Sequence, residues 1–496
     1  MPTIMQWTKH LLEKIDKQKA YSAGFQRRYA NEHILPFLAR EYAEVYPGLI
    51  VASAGGTETA LVTGNMFSAL DVPKTGTAAV VVDALTERLL VGGLDAVDDK
   101  ETSKILQNAW EGSDLDVMHQ EGHREALIDS RAFASASREK NGDRAVVGIE
   151  SATQAAVHRS QAPPYDVDAY LKIWTDEWTG DRRGMLRLDG IDQPLREDSV
   201  VHDDPQGSGV ASRWIPDGDP ISTGIKGVPV VEFAPRARLL LEPTSEIDRI
   251  ATAVDVIDLI EGLMVFAGHF GAVPIRYGKG LDIPRDPKDP SKPLVGPDGK
   301  PVLGFKPRAD HFWGTTSKDA EFGQLEPAGL ASFVTWADHA AGVIRRQTKL
   351  PSGYFSLDLK SHMTGELLKV DEAPMVRRIN GMGRMGSLNQ SWRRLGQIIL
   401  AIEVPSARVR VAPRWVDPET RIESQQVDQA TKLIASGYDM RVVAERVLRW
   451  DPDVIDAAVG AAESGANADV FALLDPATRA RLKAIPSADS DPAASA

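Results

Sequence analysis

The chain has 496 residues, 43% hydrophobic and 26% charged, a composition that excludes a disordered or fibrous protein. It contains no cysteine, which excludes disulfides and thiolate metal sites and favours a reducing, cytosolic environment. The formal net charge of −13 argues against a protein that grips nucleic acid over its whole surface, and no stretch has the pattern of a signal peptide or membrane span.

The first half of the chain changes its hydrophobic period once. Residues 5–45 and 77–94 have helical patterns, the second running into Gly92 and Gly93 as a stop, and 101–134 predicts two helices broken at 112–114. From 145 to 240, short apolar runs alternate with turn residues and predict a β-rich layer.

The strongest helical pattern lies at 239–268. Ser245 is placed to cap this helix, with Glu246 and Asp248 in the first turn, where carboxylates suit the helix dipole. Its apolar stripe consists of Ile247, Ile250, Val254, Ile257 and Met264.

A second helix is predicted over 326–348, with Pro327 at a first-turn position. The segment between the two helices, 271–302, is rich in proline, glycine, lysine and aspartate. An antiparallel helix pair joined by a stiff polar tip accounts for this order. Because such a pair cannot bury its apolar stripes alone, the pattern also indicates a ring of subunits.

The C-terminal part predicts a long helical region over 364–402, interrupted by glycines at 381, 383 and 386. A short strand is expected at 409–415, followed by small helices that start at Asp451-Pro452 and Asp475-Pro476. The final residues, 486–496, have a disordered composition.

Few patterns point to catalysis. His119 and His123 stand at i and i+4 and could hold zinc in a hydrolase, but Gln120 occupies the position where a zinc peptidase carries its glutamate. A solvated helix face is the simpler interpretation. Asp282, Asp286 and Asp289 lack the spacing of a calcium loop, and no nucleotide-binding or nucleophile motif occurs. We therefore expect no catalytic residue, metal or cofactor.

Several strings resemble, in order, the portal proteins of tailed double-stranded DNA bacteriophages (the siphophage-type family of head–tail connectors). GIKGVPVVEFAPRARLLLEPTSEIDRI (224–250) is similar to the family's G-x-V-P-V-V strand and S-E-I helix start, and VVVDALTERLLVGGL (80–94) to its early D-x-x-x-E-R-L segment. TGELLKVDEAPMVRRINGMGRMGSLNQSWRRLGQIIL (364–400) resembles the long helix after the tunnel loop, and PRWVDPETRIESQQVDQATKLIASG (413–437) the W-x-D-P-E-T segment. The similarity covers nearly the whole chain.

This resemblance implies an α+β portal fold with an α/β wing, a two-helix stem, a small clip between the stem helices, a long kinked wing helix and a helical C-terminal crown. The implied boundaries are wing 1–240, stem helix 241–270, clip 271–325, stem helix 326–348, tunnel loop 349–363, wing 364–420, crown 421–485 and tail 486–496.

The resemblance also implies a function: a dodecameric ring at one capsid vertex, through which viral DNA is packaged and ejected. The implied partners are double-stranded DNA, the terminase large subunit, the major capsid or scaffolding protein and head-completion or adaptor proteins, with no membrane. The implied location is the virion, after assembly in the host cytoplasm. Another ring-forming head or tail protein is the alternative within the same class.

Three groups of residues carry the expected roles. Tunnel-loop and channel contacts with DNA are assigned to Arg345, Arg346, Lys349, Tyr354, Phe355 and Lys360; the alternative is that the two aromatic side chains pack into the wing. Acidic rings on the stem are assigned to Asp248, Asp255, Asp258 and Glu261; the alternative is that these pair with Arg249, Arg345 or Arg346. Docking of partners on the clip is assigned to Tyr277, Phe305 and Phe322.

The chain departs from the family pattern at two points. Asp129-Ser130 stands where members of that family tend to have Tyr-Gly after a helix, so the resemblance does not predict the backbone geometry there. Thr364 replaces the usual serine, a change that still permits helix capping.

Overall fold

The computed structural model describes residues 2–32, 75–97, 99–140, 142, 144–161, 163, 165–198, 213–238, 241–272, 276–279, 285–295, 321–324, 329–355, 365–381, 385–419, 423–444, 447 and 455. The fold is α+β, as the sequence predicts. Its helices are α1 (Ile4–Tyr29), α2 (Thr77–Thr86), α3 (Lys100–Glu111), α4 (Leu115–Ile128), α5 (Ala251–Ala272), α6 (Ala331–Thr348), α7 (Gly365–Asn380), α8 (Met385–Glu403), α9 (Glu423–Ala435) and α10 (Met440–Val443).

The strands of the first half are β1 (Val91–Ala96), β2 (Ala132–Arg138), β3 (Ala145–Ser151), β4 (Ala155–Arg159), β5 (Val167–Thr175), β6 (Arg182–Leu188), β7 (Ile191–Asp198), β8 (Arg213–Pro216), β9 (Ile221–Ser222) and β10 (Val230–Phe233). Those that follow are β11 (Arg276–Lys279), β12 (Arg285–Asp286), β13 (Asp289–Pro293), β14 (Glu321–Gln324) and β15 (Val411–Trp415). None of the described helices combines the length and apolar character that a membrane crossing requires.

Two small antiparallel sheets organise the main core of the larger unit, which comprises 1–363 and 370–418. β1 pairs with β15 across more than 300 residues of sequence, and β2 lies between β10 and β3. Helices α3, α4 and α8 pack against these strands. The core that they share is centred on fully buried side chains, among them Leu94, Leu106, Trp110 and Trp392.

A second core lies between α1 and a six-stranded antiparallel sheet in the order β4-β5-β6-β7-β8, with β9 paired to β7. Thr3 and Gln6 start α1 with a reciprocal capping box, in which each side chain accepts from the other's backbone N–H at 3.3 and 2.8 Å. Leu11 and Ile15 of α1 are fully buried against Leu171 and Leu186 of the sheet. The β-rich layer expected at 145–240 is confirmed.

Three predicted boundaries were wrong. Residues 91–96 and 132–138 are strands rather than helix ends, because their partners, β15 and β10, lie far along the chain where no local period reveals them. The helix predicted to start at Ser245 begins at Ala251. Ser245 Oγ accepts from the N–H of Ile247 at 3.1 Å, and the N–H of Glu246 donates to the Leu127 carbonyl at 2.8 Å, so the preceding turn is fixed outside the helix.

The break in the long C-terminal helical region is confirmed, since α7 ends at Asn380 and α8 begins at Met385. A Cβ on Gly381 would lie 2.7 Å from the Arg377 carbonyl oxygen, a distance that any other residue could adopt only after a backbone shift. The glycine therefore permits the close approach that ends α7.

The backbone at Asp129-Ser130 has a conformation that favours glycine. Asp129 closes α4, and Ser130 has a φ of +73°, in the left-handed region. A helix commonly ends on a left-handed residue, usually glycine, because glycine has no Cβ to clash. The chain thus keeps the backbone conformation that glycine favours while placing a serine there.

A second compact unit comprises 364–369 and 419–496. In its described part are α9 and α10, and the Asp439 side chain caps α10 by accepting from the N–H of Arg441 at 2.7 Å. The helices expected at Asp451 and Asp475 and the tail at 486–496 lie outside the described residues.

Candidate functional site

The central feature of the candidate site is the packed pair of helices α5 and α6. Along α5 and the turn before it, Ile247, Ile250 and Val254 are fully buried and Ile257 is 7% exposed, which confirms most of the predicted stripe. On α6, Ala340 and Ile344 belong to the same core. The chain therefore buries this half of the helix pair by itself, so the argument that both stripes need a neighbouring subunit was wrong for these residues.

The segment that leaves α5 returns to α6 through a strand pair. β11 follows α5, β14 precedes α6, and the two strands pair antiparallel with Arg276 opposite Gln324 and Lys279 opposite Glu321. Because β11 and β14 lie side by side, the chain leaves α5 and enters α6 at the same end of the helix pair, and the two helices run antiparallel. A second small strand pair, β12 with β13, lies farther along the excursion.

The residues expected to dock partners belong to this excursion. Phe322 on β14 is 44% exposed, and its neighbours in the sequence include polar residues. Tyr277 lies on β11 opposite Gly323, and Phe305 is outside the described residues.

The four carboxylates expected to form acidic rings do not share one environment. Asp248 is exposed and Glu261 is half-buried. Asp255 accepts two hydrogen bonds from Arg28 of α1, at 2.8 and 2.7 Å, and this bonding raises the pKa of Arg28. Asp258 is 1% exposed and accepts a hydrogen bond from Thr75. The prediction of four solvent-facing carboxylates therefore needs correction: Asp258 is buried inside the chain, and Asp255 is paired with an arginine that the sequence reasoning did not consider.

The expected tunnel loop, as far as Phe355, is held close to the body of the protein. Asp371 of α7 accepts hydrogen bonds from both the backbone N–H and the hydroxyl of Ser352, each at 2.7 Å. The same carboxylate lies 3.7 Å from Arg345. Arg345 therefore has an acidic neighbour within the chain, while its side chain remains 40% exposed.

The two aromatic residues of the loop also differ from expectation. Tyr354 and Phe355 are half-buried and pack against the main core, as the alternative interpretation proposed, so neither is free to narrow a channel in this conformation. Arg346 and Lys349 are exposed at the end of α6, where Lys349 has a φ of +62° and closes the helix. Lys360 lies outside the described residues.

One buried ion pair that sequence reasoning missed fixes the base of the helix pair. Glu246, 1% exposed, pairs with Arg378 of α7, which also donates to the Thr348 carbonyl at the end of α6. Arg378 thereby ties the segment before α5 and the end of α6 to α7. Glu246 was predicted only to lie in the first turn of the helix, and no local signal marks a partner more than 130 residues away.

His119 and His123 are core residues, so both the zinc site and the solvated helix face were wrong. His119 Nδ1 donates to the Leu115 carbonyl at 2.8 Å and its Nε2 accepts from the N–H of Val91 at 3.2 Å. His123 Nδ1 donates to the Leu89 carbonyl at 2.8 Å and its Nε2 accepts from the Trp392 indole at 3.0 Å.

All four ring nitrogens therefore form hydrogen bonds, one donating and one accepting in each imidazole, so both rings are neutral. Burial lowers the pKa of His123 to about 3. The pKa of His119 is also lowered by burial. Among the described residues, no three histidine, aspartate or glutamate side chains are grouped closely enough to hold a metal ion.

Comparisons with known proteins give structural similarity alone. No family model and no curated protein matches the chain. A chain of the virion of a native gene transfer agent (GTA) particle is similar at 11% identity and a TM-score of 0.42, covering 76% of this chain and 90% of its own. A chain of the neck of an empty GTA particle computed with C6 symmetry matches at 12% identity and a TM-score of 0.41, covering 84% and 100%.

A chain of the neck of a native GTA particle computed with C12 symmetry matches at 11% identity and a TM-score of 0.40, covering 73% of this chain and 85% of its own. Similarities at this level do not assign a function.

Proposed function

We propose that the chain is a portal protein, twelve copies of which form a ring at one capsid vertex through which double-stranded DNA is packaged and later ejected. The proposal is supported by the ordered series of strings that resemble this family and by the arrangement of the residues between 245 and 348. Its role is structural, without a catalytic centre or a cofactor.

The observation that carries the proposal is the β11–β14 pair at the end of the helix pair. A flexible interdomain linker would leave α5 and return to α6 without a fixed register. Here residues 42 to 48 positions apart are paired in register, from Arg276–Gln324 to Lys279–Glu321. The two ends of the excursion are therefore held together by strand pairing, as a clip that projects from a stem requires.

The need for neighbouring subunits comes from the distal half of α6. Leu330, Val334 and Trp336 are 42, 47 and 68% exposed, whereas Ala340 and Ile344 farther along the helix are buried. Val334 and Trp336 lie on nearly opposite sides of α6, at about 100° per residue, and large apolar side chains exposed on both sides of a helix indicate protein contacts on both sides. In the proposed ring, this part of the stem packs against the stems of adjacent copies.

The charge of the chain suits a conduit. Twelve copies of a chain with a formal charge of −13 would carry −156, which repels phosphates from most of the surface so that DNA slides rather than binds. Asp248 and Glu261 remain candidates for acidic rings, and Arg346, Lys349 and Lys360 for transient, sequence-independent phosphate contacts.

The clip is proposed as the surface on which the terminase large subunit docks during packaging and head-completion or adaptor proteins dock afterwards. Exposed Phe322 offers an apolar anchor there. The major capsid or scaffolding protein would contact the wing during assembly in the host cytoplasm, and the mature location would be the virion.

Native mass spectrometry of the purified chain tests the proposal. A closed oligomer of one size is expected over a range of subunit concentrations. The form present in the virion should contain twelve copies. Monomers at every concentration, including in the presence of capsid proteins, would contradict it.

A further inference from the structure

The turn between β5 and β6 is a rigid hairpin tip, which we define as residues 176–181. One oxygen of the Asp176 carboxylate accepts from the N–H groups of both Trp178 and Thr179, at 3.0 and 3.1 Å. The N–H of Gly180, at a φ of +75°, donates to the Asp176 carbonyl at 2.8 Å. These bonds leave the tip little conformational entropy to lose on binding.

This tip presents Trp178, whose side chain is 96% exposed. Tryptophan is enriched among the residues that dominate interface energies, because its large ring buries much apolar area at a low entropic cost. A fully solvated indole on a preformed turn therefore points to a binding partner.

The partner should be positively charged around an apolar site. The tip contains three carboxylates, of Asp176, Glu177 and Asp181, and no cation. Of the two arginines behind the tip, Arg182 pairs with Glu197 at 3.0 Å, and Arg183 lies 3.7 Å from Asp176, which leaves two tip carboxylates without an arginine partner in these pairs. Glu177 and Asp181 thus flank Trp178 with exposed negative charge.

The chain itself carries a cavity with the complementary character, between α1 and β4. It has a volume of about 210 Å³, equal to roughly seven waters at liquid density and enough for one large aromatic side chain. Its apolar walls include Phe133, Val157 and Pro243, and its rim carries Lys14, Lys17 and Arg131 against the single carboxylate of Glu242.

The cations of the rim differ in availability. Lys17 is exposed, whereas the Lys14 ammonium donates to the Val157 carbonyl at 3.0 Å beside the cavity. Arg131 is paired with Glu232 and Glu242. Burial and the neighbouring arginine lower the pKa of Lys14, so an additional carboxylate at this rim would be favourable.

We propose that the Trp178 indole of one subunit occupies this cavity in the adjacent subunit, with Glu177 and Asp181 facing Lys14 and Lys17. The tip and the cavity are different patches of one chain, so the contact is heterologous, the type that forms a ring when its rotation closes. The inference rests on the proposed ring function and identifies one contact that holds adjacent subunits together.

Charge exchange tests this pairing. Glu177→Lys and Lys17→Glu should each raise the subunit concentration needed for half-assembly, and the double variant should restore it towards the wild-type value. Trp178→Ala should raise that concentration on the order of thirtyfold, as expected for an interface hot spot. Ile221→Ala, which removes an exposed apolar side chain from β9 of the same sheet, is the matched control and should have no effect.

Cross-linking gives a second readout, because the chain has no native cysteine. Oxidation of the Glu177→Cys/Lys17→Cys variant should produce a ladder of covalent oligomers. The control pair Glu177→Cys/Lys104→Cys, with the second cysteine on the exposed face of α3, should not.

The outcomes separate the two proposals. Wild-type rings that give no ladder and tolerate Trp178→Ala would overturn the hairpin contact alone, as would failure of the charge exchange to restore assembly. A ladder from a protein that never closes into rings would support the contact and contradict the portal assignment.

Discussion

Replacing Ser130 by glycine should stabilise the subunit. Ser130 follows α4 with a φ of +73°, is 1% exposed, and its hydroxyl has no hydrogen-bond partner within the described protein. A non-glycine residue in the left-handed region costs about 1–2 kcal/mol, and an unsatisfied buried hydroxyl about 1–3 kcal/mol. Both costs are removed in Ser130→Gly.

The gain is reduced by the greater freedom of glycine in the unfolded chain, about 0.5–1 kcal/mol. A net stabilisation of at least about 1 kcal/mol is therefore expected. Ser130→Ala is the matched control: it removes the hydroxyl but keeps the Cβ in a left-handed backbone, so it should gain less than glycine.

Urea unfolding followed by tryptophan fluorescence measures the difference, read as a shift in the midpoint at unchanged slope. Glycine should be the most stable of the three variants. If Ser130→Gly were no more stable than Ser130→Ala, the backbone at 130 would not be under the strain inferred from its φ.

Three further predictions concern the core, the stem and the clip. The pKa of buried His123 is about 3 in the folded state and about 6.5 in the unfolded chain, so its contribution to stability at neutral pH is lost as the pH falls below 6.5. The pKa of buried Asp129 is raised to about 7, so its contribution has the opposite pH dependence: it is present at low pH and is lost as the pH rises through 7. Asp129→Asn should therefore lose about 2 kcal/mol between pH 7.5 and 5.0 in urea unfolding while the wild type loses less, and equal losses would contradict this assignment. Trp336→Ser should raise the subunit concentration needed for ring assembly at least tenfold, measured by native mass spectrometry, without lowering subunit stability. Val117→Ser, also at an exposed position, should leave both assembly and stability unchanged. Exchange of 282–302 for a Gly/Ser linker should leave rings intact but stop DNA packaging, and unimpaired packaging would refute docking on the clip.

Features with a local cause were predictable from the sequence. The stripe of Ile250, Val254 and Ile257 repeats at helix spacing, and the break near Gly381 follows from glycine in a helical run. The polar excursion between two helices is evident from composition, whereas the β11–β14 pair at its ends was not predicted.

Features that depend on distant partners were not predictable. Asp255 and Asp258 occupy polar positions on α5, yet Arg28 and Thr75, which bind them, lie more than 180 residues earlier. His123 looks like a surface residue beside charged neighbours, but Trp392 reaches it across 269 residues. A helical period specifies which face is apolar and carries no information about which polar side chain a distant segment will cover.

The central claim is that the helix pair and its strand-paired tip belong to a ring with an axial channel. Electron cryomicroscopy of the purified chain tests this most directly. The account predicts rings, twelvefold in the virion form, in which α5 and α6 surround the channel and the β11–β14 pairs project together at one end. A monomer, or a ring in which residues 276–324 lie on the outer rim away from the axis, would contradict it.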